Sequence, residues 1–114
     1  MADSTLAGAE ILTEAHALIT GPRQEAYDHP LEDYTKVCEI FGALTGIYLD
    51  PQEALLFMVS VKMARLRTNL QRGALHRDSI VDAAGYLGCL AMAHTETQRR
   101  ISQQSHAKHG TLGT

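Results

Sequence analysis

Two cations stand where cations are least expected. From Ala54 to Leu66 the side chains Leu55, Leu56, Phe57, Met58, Val59, Val61, Met63 and Ala64 cover nearly every helical direction, yet Lys62 and Arg65 interrupt them. Three positions apart on a helix, they share a face. A cation taken out of water is costly unless it is paired or bound by an anion. The anions on offer are Asp78 and Asp82, four apart and so also on one helical face. Asp78 reads equally well as a helix cap. Asp82 lies past any cap, flanked by Val81, Ala83 and Ala84, and so must pair with Lys62 or Arg65 or bind a metal.

A second acidic group comprises Glu25, Asp28, Glu32 and Asp33. These fit solvated first-turn acids that complement a helix dipole. Alternatively, Glu32 meets Asp78 and Asp82 across a helix pair. Three converging carboxylates need a cation between them, and oxygen donors alone select a hard ion such as Mg²⁺, which bridges to substrate phosphates. With Lys62 and Arg65 beside it, this is equipment for phosphate-ester chemistry. His76, two residues before Asp78, and His29, beside the acidic connector, are further candidates for contact with a ligand. The Cys and His spacings build no zinc cluster, and the glycines lack the strand–turn–helix setting of a phosphate loop.

The elements that must position these groups are helical. Leu6, Ala9, Leu12, Ala15 and Ile19 recur at helical spacing after caps at Asp3, Ser4 or Thr5, and Gly21-Pro22 supplies a stop, with glycine suited to a left-handed cap. A second helix starts at Pro30, with Asp28 or His29 near its cap. It carries an apolar stripe of Tyr34, Val37, Cys38, Phe41 and Leu44 and ends at Gly46. Asp50-Pro51-Gln52-Glu53 predicts a capping box opening the third helix. That helix is apolar on most sides, which implies packing against a second subunit as well as its own neighbours. A loop over 71–77 leads to a fourth helix from near Asp78 to at least His94. Its Gly85 and Gly88 lower helix propensity and are offset if another helix packs closely on them. The expectation is an all-α bundle of four main helices over residues 1–98, completed by oligomerisation. Residues 99–114 read as a polar extension, a fraying helix and then a partly mobile tail.

At 114 residues the chain is one domain's worth, with 45% apolar and 20% charged residues, close to the globular norm. A net charge of −3 argues against general nucleic-acid binding, which needs a Lys/Arg excess. No apolar run is long enough to span a bilayer, and Met1-Ala2-Asp3-Ser4 has no signal-peptide pattern. Cys38 and Cys89 fall in apolar helical stretches, as expected of buried reduced thiols in a cytoplasmic protein.

Three stretches resemble a family of short phage and prophage proteins. They are Tyr27-Asp28-His29-Pro30-Leu31-Glu32-Asp33-Tyr34, Val61-Lys62-Met63-Ala64-Arg65-Leu66, and Asp78-Ser79-Ile80-Val81-Asp82-Ala83-Ala84-Gly85-Tyr86. The family pattern is Tyr-Gly-x-Pro-x-Glu-Asn-aromatic, Lys-x-x-Arg and Asp-x-x-x-Asp-x-x-Gly-Tyr, and it looks like a distant branch of the MazG-like all-α nucleoside triphosphate pyrophosphatases. The match covers residues 23–92. Asp28 stands where glycine is usual and Asp33 where asparagine is usual, and the ExxE and ExxD pairs of the better-known pyrophosphatases are absent. The resemblance implies a Mg²⁺-dependent nucleotide-binding fold, usually oligomeric, acting in the cytoplasm of the host cell if phage-encoded. It implies Glu32 and Asp82 as catalytic and metal-side carboxylates with Asp78, and Lys62 and Arg65 on phosphates. Tyr27, Tyr34 and Tyr86 would line a base or sugar pocket.

Three functions are compatible with these residues. The first is a Mg²⁺-dependent pyrophosphohydrolase splitting a nucleoside triphosphate into monophosphate and pyrophosphate. The second is a non-catalytic binder that sequesters a signalling nucleotide or serves nucleotide modification. The third is a helical assembly module in which Lys62–Asp82 and Arg65–Asp78 are buried ion pairs.

Overall fold

The computed structural model describes residues 3–22 and 28–112, with side chains described as far as residue 106. It is all-helical, with no strand among the described residues. Helix α1 spans Ser4–Thr20, α2 Pro30–Thr45, α3 Pro51–Gln71 and α4 Arg77–Leu112. Helix α4 is the axis of the molecule: α1, α2 and α3 all pack on it, α2 also packs on α3, and α1 touches α4 alone.

Local chemistry accounts for the boundaries. Asp3 caps α1, accepting from the Thr5 N–H at 2.9 Å. Its closing residue, Gly21, is extended at φ −83° and not left-handed as expected. Glycine is required there for a different reason. The Gly21 N–H donates to the Ala17 carbonyl, and a Cβ would sit 2.7 Å from that oxygen. His29 caps α2, its Nδ1 accepting from the Leu31 N–H at 3.1 Å, with Pro30 in the first turn. Gly46, at φ 76°, ends α2 in the left-handed region that favours glycine. The capping box of α3 is present: Asp50 accepts from the Glu53 N–H at 2.8 Å while Glu53 accepts from the Asp50 N–H at 3.0 Å.

The apolar faces differ from the expected stripes in two places. On α1, Ala15 is buried and Ile11, Leu18 and Ile19 are half-buried, whereas Leu6 and Leu12 are exposed. The stripe is rotated because α1 has one neighbour, and it meets that neighbour through Ile19. The Ile19 side chain lies on Gly85 and Gly88, where an added Cβ would be 3.9 and 2.9 Å away. On α2, Leu31, Cys38 and Gly42 face inward with Tyr34, while Val37, Ile40, Phe41 and Leu44 point outward. Leu31, Leu55 and Ala93 join α2, α3 and α4 in one core, with Tyr34, Tyr86, Cys89 and Leu90 against it.

The polar segment after Gln98 is helical through Leu112. Its side chains from Arg99 to His106 are exposed, so this end of α4 projects past the other helices.

Candidate functional site

Lys62 comes from the middle of α3 and Asp82 from the second turn of α4. The two helices run side by side, which brings Lys62 Nζ to 3.0 Å from Asp82 Oδ2. The lysine side chain is 13% exposed and the aspartate 37%. The aliphatic stem of Lys62 is therefore packed between helices while its ammonium meets a carboxylate that still reaches water. Among the described residues this is the most shielded ion pair, and it joins the two helices that share the largest contact.

Asp82 also lines a cleft of about 520 Å³ between α1 and α4, with Glu14, Ala17, Leu18, Arg77, Asp78 and Val81. Arg77 pairs with Glu14 across its mouth. Asp78 is exposed. It is the second residue of α4 and not its cap. The turn into the helix is instead held by His76, whose Nδ1 lies 2.6 Å from the Oγ of the buried Ser79. Arg65, one turn along α3 from Lys62, is exposed and has no ion-pair partner among the described residues. No Arg65–Asp78 pair forms.

Glu32 is elsewhere. It pairs with Arg100, which Glu96 also holds. Arg100 is 18 residues beyond Asp82, roughly 27 Å of helix. The side chains of Glu32 and Asp82 therefore do not converge within one chain. Among the described residues no three His, Cys, Asp or Glu side chains cluster so as to hold a metal. The donor set fits a three-carboxylate Mg²⁺ centre poorly: Asp82 is committed to Lys62, Glu14 to Arg77 and Glu32 to Arg100.

The remaining candidates are placed as follows. Asp28 pairs with Lys36, which Asp33 also approaches at 4.0 Å, on the exposed start of α2. Tyr34 and Tyr86 pack on the core instead of lining the cleft. Burial, then Tyr86 and Cys89, pushes the Tyr34 hydroxyl above its ordinary ionisation range. Tyr27 and Glu25 lie outside the described residues. Cys38 and Cys89 are free thiols, each pushed up chiefly by burial. Glu96 is held down to about 2 by hydrogen bonds from Arg99 and Arg100.

Glu14 and Arg77 were not singled out in the sequence. Glu14 is one acid on an amphipathic helix, 63 positions from the arginine it meets. No local spacing links them, and only the packing of α1 on α4 does.

Among the described residues, fold and cleft define a small all-α protein with a lysine–aspartate pair beside an acid-rich groove. The chain belongs to the family described as Domain of unknown function (DUF6378), whose profile matches residues 10–94. That span includes the Glu14 half of α1, which the resembling motifs had left out, and ends before the Arg99–Arg100 segment. The chain is similar to the Gene 55 protein of Mycobacterium phage L5, at 33% identity over 81 residues, 70% of this chain and 49% of the phage protein. It is similar also to the Gene 55 protein of Mycobacterium phage D29, at 33% identity over 86 residues, 75% of this chain and 54% of that one. It thus spans about half the length of these relatives. No solved structure matches it. Among the described residues no helix is long and apolar enough to cross a membrane.

Proposed function

We propose that this chain binds a nucleotide at the α3–α4 junction, its phosphates on the Lys62–Arg65 side, as a remote phage-type relative of the MazG-like pyrophosphatases. The observation that carries the reading is the largely buried Lys62 side chain, whose ammonium lies 3.0 Å from Asp82. A structural tie between two helices is made at least as well by apolar side chains, because desolvating two charges offsets most of their attraction. A lysine kept at such a place, with a second cation one turn away and an acid-rich cleft on the other side of its partner, suits a ligand that carries charge. Two of the three resembling stretches touch at this junction through Lys62 and Asp82, while the one that carries Glu32 lies elsewhere on Arg100. The working form in this reading is a homo-oligomer in the cytoplasm of the host cell.

Thermal-shift measurement across a panel of nucleoside mono-, di- and triphosphates, with and without Mg²⁺, tests the reading. Ligand that binds only the folded state raises the melting temperature. A rise with at least one nucleotide, lost in the Lys62→Met/Asp82→Leu double variant, is expected. A wild-type melting temperature that no nucleotide moves contradicts it.

A second reading, hydrolysis of a nucleoside triphosphate to monophosphate and pyrophosphate, is favoured by Asp78. It is an exposed carboxylate on the cleft wall, one turn from Asp82 and without an ion-pair partner among the described residues. It would take the proton of an attacking water while Lys62 and Arg65 hold phosphate charge. Pyrophosphate release that falls by about 100-fold or more in Asp78→Asn is the expected sign. Ligand retained intact on the wild type favours binding alone.

A further inference from the structure

Between Glu53 and Asp78 the chain has no acid, yet this stretch carries Lys62, Arg65, Arg67, Arg72 and Arg77, half of its ten Lys and Arg residues. All 13 acids lie elsewhere. A chain of net charge −3 is thus segregated, with positive charge gathered on the second half of α3 and the turn into α4. Two of these cations are engaged, Lys62 by Asp82 and Arg77 by Glu14. Arg65, Arg67 and Arg72 are exposed and have no ion-pair partner among the described residues.

The same stretch forms a groove. About 590 Å³ in volume, it is lined by Met63, Leu66, Arg67, Leu70, Leu75 and Ile80. Met63, Leu66, Arg67 and Leu70 follow one another at helical spacing, so one wall is a single face of α3 about 10 Å long. Leu75 and Ile80 make the other wall. Met63, Leu70 and Leu75 are each more than half exposed. A contiguous apolar surface of this kind marks an interaction site, and an apolar groove two turns long suits the apolar face of an amphipathic helix. Charge then selects the occupant. Arg67 stands in the lining and Arg72 closes α3 at one end of it. A helix seated here brings its polar residues against these two arginines, which favours carboxylates and penalises cations. Nucleic acid suits the groove less well, because the lining offers no aromatic ring on which a base could stack.

We infer that the α3–α4 groove docks an acidic amphipathic helix of a partner protein. Its apolar side chains lie on Met63, Leu70 and Leu75, and its carboxylates face Arg67 and Arg72. The lining shares no residue with the Lys62–Asp82 pair or with the α1–α4 cleft, so the inference stands or falls independently of nucleotide binding.

Fluorescence anisotropy with a labelled synthetic helix tests it. The peptide carries Leu at every third or fourth position and Glu at the rest, and a companion has Lys in place of Glu. The full chain is expected to bind the Glu peptide saturably and at least about tenfold more tightly than the Lys peptide, a preference that shrinks as salt is raised. Arg67→Glu/Arg72→Glu is expected to weaken the Glu peptide by at least about tenfold, and Leu70→Gln/Leu75→Gln to weaken it as much. All four side chains are exposed, so helical circular dichroism is expected to stay unchanged. Should the double arginine variant lose helicity, Arg67→Gln alone gives the same readout. Ile40→Gln/Leu44→Gln, on the exposed face of α2, is expected to leave the affinity as it is. No saturable binding of the Glu peptide, or equal affinity for the two peptides, overturns the inference. So does a loss of affinity caused by the α2 substitutions and not by those in the groove. A single-stranded oligonucleotide that binds more tightly than the Glu peptide through the same arginines overturns it as well. The same holds for a dimer, seen by light scattering, that Leu70→Gln/Leu75→Gln splits.

Discussion

Two of the charged clusters on α4 differ in almost every physical respect. At one end Lys62 and Asp82 join α3 to α4 through a single contact, with the lysine nearly out of water. At the other, Arg100 bridges Glu32 of α2 and Glu96 of α4 while Arg99 adds a second grip on Glu96, all on exposed side chains except Glu96. The second cluster has more bonds and, residue for residue, less consequence. Long solvated side chains lose entropy when held and are screened by water and salt, so each pair is worth little. The first cluster has one bond, but removing Asp82 leaves a largely buried lysine without compensation, whereas removing Lys62 leaves an aspartate that water still reaches in part. The number of ion pairs is thus a poor guide to where function lies, whereas shielding is a better one.

The comparison can be broken by mutation. The scale is set by Leu55, fully buried where α2, α3 and α4 meet: Leu55→Ala is expected to cost about 2–5 kcal/mol in urea unfolding. Lys62→Met is expected to cost about 2 kcal/mol, below the figure for a fully buried pair because Asp82 keeps some water. Adding Asp82→Leu is expected to restore most of that loss, since replacing both partners removes the stranded charge. A single Lys62→Met variant as stable as the wild type would erase the distinction between the clusters. Arg100→Met, at the exposed end, is expected to leave the urea midpoint essentially unchanged.

How much of this was legible in the sequence varies with how local its cause is. The α3 capping box, the His29 cap and the Gly46 stop are written in adjacent residues, and the structure contains them. The close approach of α1 at Gly85 and Gly88 follows from small residues at helical spacing. The meeting of Lys62 with Asp82 could be inferred because a cation in an apolar helix and an acid past a cap each needed a partner. Glu32 could not be placed that way. It has a satisfactory position wherever an arginine is near, and Arg100 lay in a segment expected to fray. Tyr34 and Tyr86 illustrate the same limit: an aromatic side chain at helical spacing serves a core as readily as a ligand pocket, and here both face the core. The inward and outward parts of α2 merge into one stripe because Cys38 and Phe41, three positions apart, share a flank of the helix, yet Cys38 is buried and Phe41 is exposed.

Two pH effects sharpen the contrast at smaller amplitude. Tyr34 ionises above its ordinary value in the folded chain because of burial. Its contribution is therefore complete below about pH 10 and declines as pH rises beyond it, since the unfolded chain gives up the proton first. Alkaline unfolding monitored by circular dichroism is expected to shift to higher pH in Tyr34→Phe. Glu96, held down to about 2 from an ordinary 4.5, behaves in the opposite sense. Its contribution is present above pH 4.5 and is lost as pH falls toward 2, so acid is expected to loosen the Arg99–Arg100 end of α4 in hydrogen exchange. Glu96→Gln should remove that acid step and leave the Lys62–Asp82 end unchanged.

Equilibrium dialysis of radiolabelled nucleotides with Mg²⁺, comparing the wild type with Lys62→Met/Asp82→Leu, tests the central claim most directly. The shielded pair is expected to give saturable binding in the wild type and at least about tenfold weaker binding in the double variant, a difference of about 1.4 kcal/mol. Equal retention by both proteins, or none by the wild type at millimolar ligand, would contradict it and leave the pair as a tie between two helices.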